Sequence, residues 1–275
     1  MNINCKGKLI DISTPKVMGI LNITPDSFFD GGKYNDESEI LIQVETMLKH
    51  GATFIDLGGY SSRPNAEDIT EAEELKRVIP VIQLILKYFP KTLISIDTFR
   101  SGVAHQSIDA GAALVNDISA GLLDNNMLST VGKLGVPYIM MHMKGNPKTM
   151  QQHTNYKDLV KEVISYFAER ISAAYEEKIN DIIIDPGFGF AKTIEQNFEL
   201  LNKLEVLQLI KSPILSGISR KSMIYKALNT TSKNALNGTT ALHMIALQKG
   251  SKILRVHDVK EAMECVTLYN QLKSN

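Results

Sequence analysis

The chain has 275 residues, 44% of them hydrophobic, and its lysines plus arginines equal its aspartates plus glutamates at 30 each. That length suits one large domain or two small ones, and the apolar fraction excludes wholesale disorder. A net charge of zero excludes the sustained basic field needed for broad binding to nucleic acid or a membrane surface, but leaves room for one local basic pocket.

Residues 1–16 read as a hairpin that plugs the bottom of the fold that follows. "VMGILN" from Val17 to Asn22 is a short buried strand, and it runs into a polar stretch ending at Gly31 and Gly32. Over 36–50, Ile40, Leu41, Val44, Met47 and Leu48 share one helical face, which Gly51 closes. "FIDLGG" is the next strand. Thr70 with Glu73 predicts a capping box opening a helix from 71 to about 88. "LISIDT", "ALVNDI", "PYIMMH", "DIIIDPG", "PILSGIS" and "ILRVHD" continue the series, and Thr193 with Gln196 marks a second capping box. Strands that alternate with helices argue for a parallel sheet, and eight such units in about 250 residues suit a closed (β/α)₈ barrel, the TIM barrel, as a single α/β domain over 1–275. "GFGFAK" at 187–192 lacks the third glycine and the acidic residue of a dinucleotide fingerprint, which argues against an open doubly wound sheet. Cys5 and Cys265 match no zinc spacing and are too few for a disulfide framework, which points to a reducing cytoplasm. No run approaches the ~18 apolar residues of a membrane span, so neither a signal peptide nor a span is expected.

In such a barrel the C-terminal strand ends converge on one mouth. There the sequence places Asn22; Asp56 with Ser61, Ser62, Arg63 and Pro64; Asp97; Asn116 and Asp117; Met140 and His142; Asp185; Ser219, Arg220, Lys221 and Ser222; and Arg255, His257 and Asp258. Asp258 reads as the cap of the next helix. His142 leaves two readings open, a structural residue or a catalyst. Polar groups at all eight ends read as a ligand site. Arg63, Lys221, Arg255 and His257 form a cationic group in a neutral protein. Asn22 and Asp30 offer hard oxygen ligands of the kind Mg²⁺ takes together with phosphates. Deeper lie Asp97, Asn116 and Asp185, with Met140 and Phe190 as apolar partners. A buried carboxylate needs donors, and a flat heterocycle with adjacent NH and NH₂ groups would meet Asp185 in bidentate fashion. The site therefore suits a planar nitrogen heterocycle carrying a diphosphate.

Seven motifs, "GILNITPDSFFDGG", "DLGGYSSRP", "SIDTF", "NDISAG", "DPGFGFAK", "GISRKS" and "RVHDV", resemble in order those of the dihydropteroate synthase family, from about Lys16 to about Thr267. The resemblance implies a Mg²⁺-dependent (β/α)₈ barrel, commonly a homodimer through helices on the later side of the barrel. It implies a transferase of folate biosynthesis and sulfonamide target, which condenses 6-hydroxymethyl-7,8-dihydropterin diphosphate with p-aminobenzoate and releases pyrophosphate. Residue by residue, it assigns the pterin to Asp97, Asn116, Met140, Asp185, Phe190 and Lys221, and the diphosphate to Asn22, Arg63, Arg255 and His257. The aminobenzoate falls to Phe28, Ser62, Pro64, Phe190, Lys221 and Ser222, and the metal to Asn22 and Asp30. Catalysis falls to Asp97, Asp185, Lys221, Arg63, Arg255 and His257. Nucleic acid and membrane are not expected partners. The chain departs from the family pattern at Tyr60, where a glutamate is usual, at Ser62 for threonine, at Asn65 for glycine, and mildly at Lys144 and Asn146.

An aniline nitrogen is already neutral at pH 7, so a dissociative substitution needs no general base to start. The segment Asn22 to Gly32 then reads as a mobile lid over the site, with Asn22 at its rigid base and Phe28 covering the aminobenzoate. A pterin-dependent methyltransferase would share the barrel and the pterin carboxylates, but it has no need of "NITPDSF", "SSRP" or the Arg255–His257 pair. A non-catalytic pterin-binding protein would have lost part of the diphosphate set.

Overall fold

The computed structural model describes residues 1–23, 35–60 and 68–274. Strands β1 (Asn2–Cys5) and β2 (Lys8–Asp11) form an antiparallel hairpin. Its two-residue turn, Lys6–Gly7, has both residues left-handed (φ 55° and 76°), the geometry that matches the strands' twist. Eight further strands close into a parallel barrel: β3 (Lys16–Asn22), β4 (Phe54–Gly58), β5 (Leu93–Asp97), β6 (Leu114–Asp117), β7 (Tyr138–Met141), β8 (Ile182–Asp185), β9 (Ile214–Ser216) and β10 (Ser251–Val256). They stand in chain order around the ring, with β10 beside β3 to close it. The helices between them are α1 (Asn35–Lys49), α2 (Glu71–Tyr88), α3 (Ser101–Asp109), α4 (Met127–Leu134), α5 (Leu159–Glu176), α6 (Ile194–Asn202), α7 (Ser222–Ala227), α8 (Leu236–Gln248) and α9 (Val259–Ser274).

Two apolar layers hold the barrel. Inside it, Met18, Phe54, Leu114, Ile139, Ile183, Leu215 and Ile253 pack with Ile3, Cys5, Ile10 and Ile12 of the hairpin. The hairpin thus plugs the bottom, as expected, and burial pushes the Cys5 thiol up to about 12, so it is an inert core residue. Outside, strand residues one step out of phase, such as Val17, Ile55, Ile94, Val115 and Met140, meet the helices. Each strand therefore spends one face on each layer, which is why the strands read as continuous apolar runs.

Local signals set the helix ends. At Thr193 the capping box is complete: Gln196 N–H donates to the Thr193 hydroxyl and Thr193 N–H to the Gln196 side chain. At Thr70 only the first half forms, because the Glu73 carboxylate lies 3.4 Å from the Arg77 guanidinium instead. Pro80 is tolerated inside α2 because it sits on the exposed face, where a freed carbonyl can take water.

His243 of α8 is 1% exposed, and neither ring nitrogen has a hydrogen-bond partner among the described residues. Burial pulls its pKa from 6.5 down to about 4, against a small opposing pull from Asp258. The unfolded chain takes up this proton below 6.5 while the folded chain resists until about 4, so stability falls as pH drops through that window, by about 1.4 kcal/mol per unit. Urea unfolding at pH 7 and pH 5 should show His243→Leu losing about 2 kcal/mol less than the unsubstituted protein between the two values. Parallel losses would mean the folded ring is solvated or paired.

Candidate active site

The strand ends face one mouth, and its floor is an ionic cluster. Arg255, near the end of β10, reaches across β3. Its Nε donates to Asp56 Oδ2 (2.5 Å) and its Nη2 to Asp97 Oδ2 (2.6 Å). Asp56 is fully buried, while the Asp97 side chain stays 21% exposed at the rim. Burial pushes the Asp97 carboxyl up and the Arg255 guanidinium pulls it back; burial works against the Arg255 charge, but Asp56 and Asp97 outweigh it and hold that pKa above its ordinary value. Two of the guanidinium's five N–H donors make these bonds.

Asp56 also fixes Asn116. The Asn116 Nδ2 lies 3.3 and 3.1 Å from the two Asp56 oxygens, so the amide must turn its nitrogen down and its Oδ1 towards the mouth. Asn116 thus presents an acceptor.

Asp185, at the end of β8, is 5% exposed, and its Oδ1 accepts the Gly187 N–H at 2.8 Å. Burial raises its pKa, and Lys221 and that N–H oppose the rise. A Cβ built on Gly217 would stand 3.8 Å from Asp185 Oδ2, 3.9 Å from Lys221 Nζ and 4.0 Å from Arg255 Cβ. Gly217 therefore opens the space where a carboxylate acceptor and an ammonium donor lie side by side. Lys221 Nζ donates to the Phe188 carbonyl and sits 4.8 Å from the centre of the Phe190 ring. Burial pulls its pKa down to about 8, against the attraction of Asp185. Ser222 begins α7 beside it, half-buried.

Asn22 ends β3 opposite Gly58. A Cβ on Gly58 would stand 3.4 Å from Asn22 Oδ1 and 3.8 Å from Asp97 Oδ2, so two hard oxygens border one small space. Among the described residues no cluster of three or more His, Cys, Asp or Glu could hold a metal alone. Asp97 Oδ2 is already held by Arg255, so Asn22 Oδ1 is the oxygen here that could join phosphate oxygens around a Mg²⁺ ion, which takes few protein ligands.

Other expected residues take different places. Met140 is fully buried in the layer against the helices, while Ile139 points into the barrel. Side chains alternate along a strand, so Met141, not Met140, is the methionine of the mouth. Met141 packs with Ile118, Met143, Met150 and Ala191, and Phe99 and Phe190 border them. His142 is 1% exposed. Its Nδ1 lies 3.0 Å from Lys192 Nζ, and its ring meets Tyr166 edge-on at 4.8 Å. Burial, then the Lys192 charge, lowers its pKa to about 2, so it is structural and neutral. Asp117 accepts from Ser119, Gly121 and the Tyr138 hydroxyl, which makes it a clamp on its own loop. Asp258, the residue before α9, accepts the Ala262 N–H at its carbonyl and holds the Arg220 guanidinium through both side-chain oxygens, at 2.7 and 2.8 Å. His257 is exposed, with Nδ1 3.1 Å from the Ser219 hydroxyl. Tyr60 stacks edge-on against Phe99 at 5.1 Å with Arg100 over its ring at 5.3 Å, and Lys144 pairs with Glu162 at 2.7 Å. Phe28, Asp30, Ser62, Arg63 and Pro64, and the lid beyond Ile23, lie outside the described residues.

Sequence reasoning places Asp56 at the mouth without giving it a role, and it passes over Met141, Phe99 and Lys192. The strand period locates Met141 once Ile139 is placed inside; the others carry no local signal.

Residues 18–257 match the family model of pterin binding enzymes. The dihydropteroate synthase of Haemophilus influenzae is 41% identical over 271 residues, covering 98% of each chain. That of Escherichia coli K12 is 42% identical over 268 residues, 97% of this chain and 94% of the other. Among solved structures, the Yersinia pestis dihydropteroate synthase in complex with a sulfonamide drug superposes with a TM-score of 0.93 at 40% identity, covering both chains fully. The Xanthomonas albilineans dihydropteroate synthase with 4-aminobenzoic acid gives 0.92 at 35% identity, covering 100% of this chain and 98% of the other.

Removing one partner of a buried ion pair strands the other charge. Asp56→Ala should therefore lower unfolding free energy by about 3–5 kcal/mol in urea titration. A loss under about 1 kcal/mol would mean that Asp97 alone satisfies Arg255.

Proposed function

The chain belongs to the dihydropteroate synthase family of pterin-binding enzymes, and we propose that Asp97, Asn116, Asp185 and Lys221 bind the pterin at its barrel mouth. The chain is a transferase of folate biosynthesis. It joins 6-hydroxymethyl-7,8-dihydropterin diphosphate to p-aminobenzoate to give 7,8-dihydropteroate and pyrophosphate. The observation that carries the site reading is the pairing over Gly217: Asp185 Oδ2 and Lys221 Nζ border the same opening. A pterin edge offers an amino group, a ring N–H and a carbonyl in a row. Asp185 accepts from the first two and Lys221 donates to the third. Asn116 Oδ1 and Asp97 meet donors on the far edge, and Met141 and Phe190 supply apolar contact to the ring.

The reaction breaks the bond between the pterin methylene carbon and the diphosphate oxygen. It forms a bond from that carbon to the aniline nitrogen, which then loses a proton. Negative charge grows on the departing pyrophosphate, and positive charge spreads from the methylene into the ring. Asp97 and Asp185 face that ring and favour its cationic form; preorganised charge of this kind needs no rearrangement at the moment of reaction. Arg255, His257 and Arg63 would receive the diphosphate, and the donors of Arg255 not held by carboxylates suit that task. Asn22 would hold Mg²⁺ with the diphosphate, and the ion supplies Lewis-acid neutralisation of the leaving group. The neutral aniline needs no base to begin its attack. The aminobenzoate falls beside Phe190, Lys221 and Ser222, with Phe28, Ser62 and Pro64 completing that side; sulfonamides would compete there.

A cytoplasmic homodimer is part of the same proposal. Leu228, Ile245, Leu268 and Leu272 are exposed apolar residues at the end of α7 and on α8 and α9, which supports an apolar contact there. No helix among the described residues is long and apolar enough to cross a membrane.

Asp185→Asn keeps the shape but sets an amide donor against ligand donors, a mismatch that costs about 1–3 kcal/mol. Calorimetry with 6-hydroxymethylpterin should show affinity falling about 10- to 100-fold, with an unchanged melting midpoint. Affinity within twofold of the unsubstituted protein would remove Asp185 from the site.

A further inference from the structure

Lys192 is a buried amine without a carboxylate in hydrogen-bond contact among the described residues, and burial pulls its pKa down to about 7, against the attraction of Asp185. It is 4% exposed. Its ammonium lies 3.1 Å from the Gly187 carbonyl, 3.1 Å from the Phe190 carbonyl and 3.0 Å from His142 Nδ1. An ammonium has three N–H donors, and here it has three acceptors. His142 Nδ1 must then accept, which puts the ring proton on Nε2, in keeping with the neutral state that burial imposes on it.

Each carbonyl held by Lys192 belongs to a residue that frames the mouth. Gly187, in a left-handed conformation at φ 70°, gives its N–H to Asp185 Oδ1 while Lys192 and the Phe190 N–H both reach its carbonyl. A Cβ at Gly187 would stand 2.1 Å from the His142 carbonyl, so the loop fits close against the end of β7. Phe190 carries the ring beneath the Lys221 ammonium, and Lys221 in turn holds the Phe188 carbonyl. Three carbonyls of one four-residue loop thus point at two lysine ammoniums. The loop's inner face is tied by Lys192, and its outer face turns Asp185 and Phe190 to the mouth. Burying a lysine amine among backbone carbonyls costs more than burying an apolar side chain of the same length. Filling space is therefore a poor account of a lysine here.

We propose that Lys192 is a positioning residue for the pterin. Acting through the Gly187 and Phe190 carbonyls, with His142 as its third acceptor, it holds the Asp185 carboxylate and the Phe190 ring where the heterocycle meets them. The proposal rests on the pterin reading above. It touches neither the ligand nor the diphosphate side, where Asn22 and Arg255 stand, so its loss should separate the two ligands.

The test uses Lys192→Met, which keeps the length and removes the donors, with calorimetry of 6-hydroxymethylpterin and, separately, of pyrophosphate with Mg²⁺. The expected result is a cooperative thermal transition, pterin affinity reduced at least tenfold and pyrophosphate affinity within twofold. Lys192→Ala should regain pterin affinity when n-propylamine is added and not when n-propanol is added. Pterin affinity within threefold of the unsubstituted protein overturns the proposal, as does an equal loss for both ligands, which would be general collapse of the mouth. If Lys192→Met does not fold, His142→Phe decides, since it removes one acceptor and leaves the ammonium: pterin affinity should fall at least threefold, and no change overturns the role. A failure of the unsubstituted protein to bind pterin would overturn the pterin reading itself. Tight pterin binding by both the unsubstituted protein and Lys192→Met would overturn only the role of Lys192.

Discussion

The Arg255 guanidinium, held by Asp56 and Asp97, is the constraint on which the mouth depends. It joins residues 199 and 158 positions apart in sequence, and so it ties the last strand to the second and third strands of the barrel across the closing seam. The bonds are charge-assisted and short, and water reaches the cluster at Asp97 and Arg255 while Asp56 is closed off. With Arg255 so held, Asp56 can also orient Asn116, and Asp97 stands beside its partner at the rim. The described floor sets three carboxyl groups, Asp56, Asp97 and Asp185, against two basic side chains, Lys221 and Arg255. That excess of acceptors favours a ligand with several N–H donors, and favours it more as positive charge develops on it.

A division of labour follows from the barrel's two faces. Inward positions supply the bottom layer and hairpin plug, then the polar floor, and at the mouth the apolar rim of Met141, Phe99 and Phe190. Positions one step out of phase bind the helices. Several polar groups at the strand ends serve the loops rather than a ligand: Asp117 clamps its own loop, Asp258 secures Arg220 and His142 accepts from Lys192. Tyr60, which departs from the family's usual glutamate, joins Phe99 and Arg100 in a stacked group at the base of the second loop. Its ring makes aromatic and cation–π contacts, and its hydroxyl donates to Asp68 at 3.4 Å.

The barrel was legible because each strand is a short apolar run ending in polar residues, and the segments between them carry helical periodicity or capping signals. The deep carboxylates were legible for the same reason, since a buried charge at a strand end is costly enough to stand out. The phase of "YIMM" was not legible. Both faces of that strand are buried, so no polar residue marks which methionine faces inward, and Met140 was assigned where Met141 belongs. The missing half of the Thr70 cap turned on a competing cation at Arg77, four residues away, which a three-residue motif does not weigh. Lys192 lies in a stretch where the glycines draw attention, and its three acceptors come together only through the loop's backbone path. Asp56 looked like one strand-end aspartate among several until the register placed Arg255 and Asn116 around it.

The central claim is that this mouth activates a pterin diphosphate for attack by an aromatic amine. The most direct measurement is pyrophosphate release by the purified protein from 6-hydroxymethyl-7,8-dihydropterin diphosphate with Mg²⁺, with and without p-aminobenzoate, alongside detection of 7,8-dihydropteroate. The account predicts release that rises with p-aminobenzoate and matches dihydropteroate formed one to one. Release at the same rate without p-aminobenzoate, with no dihydropteroate formed when it is present, would contradict it.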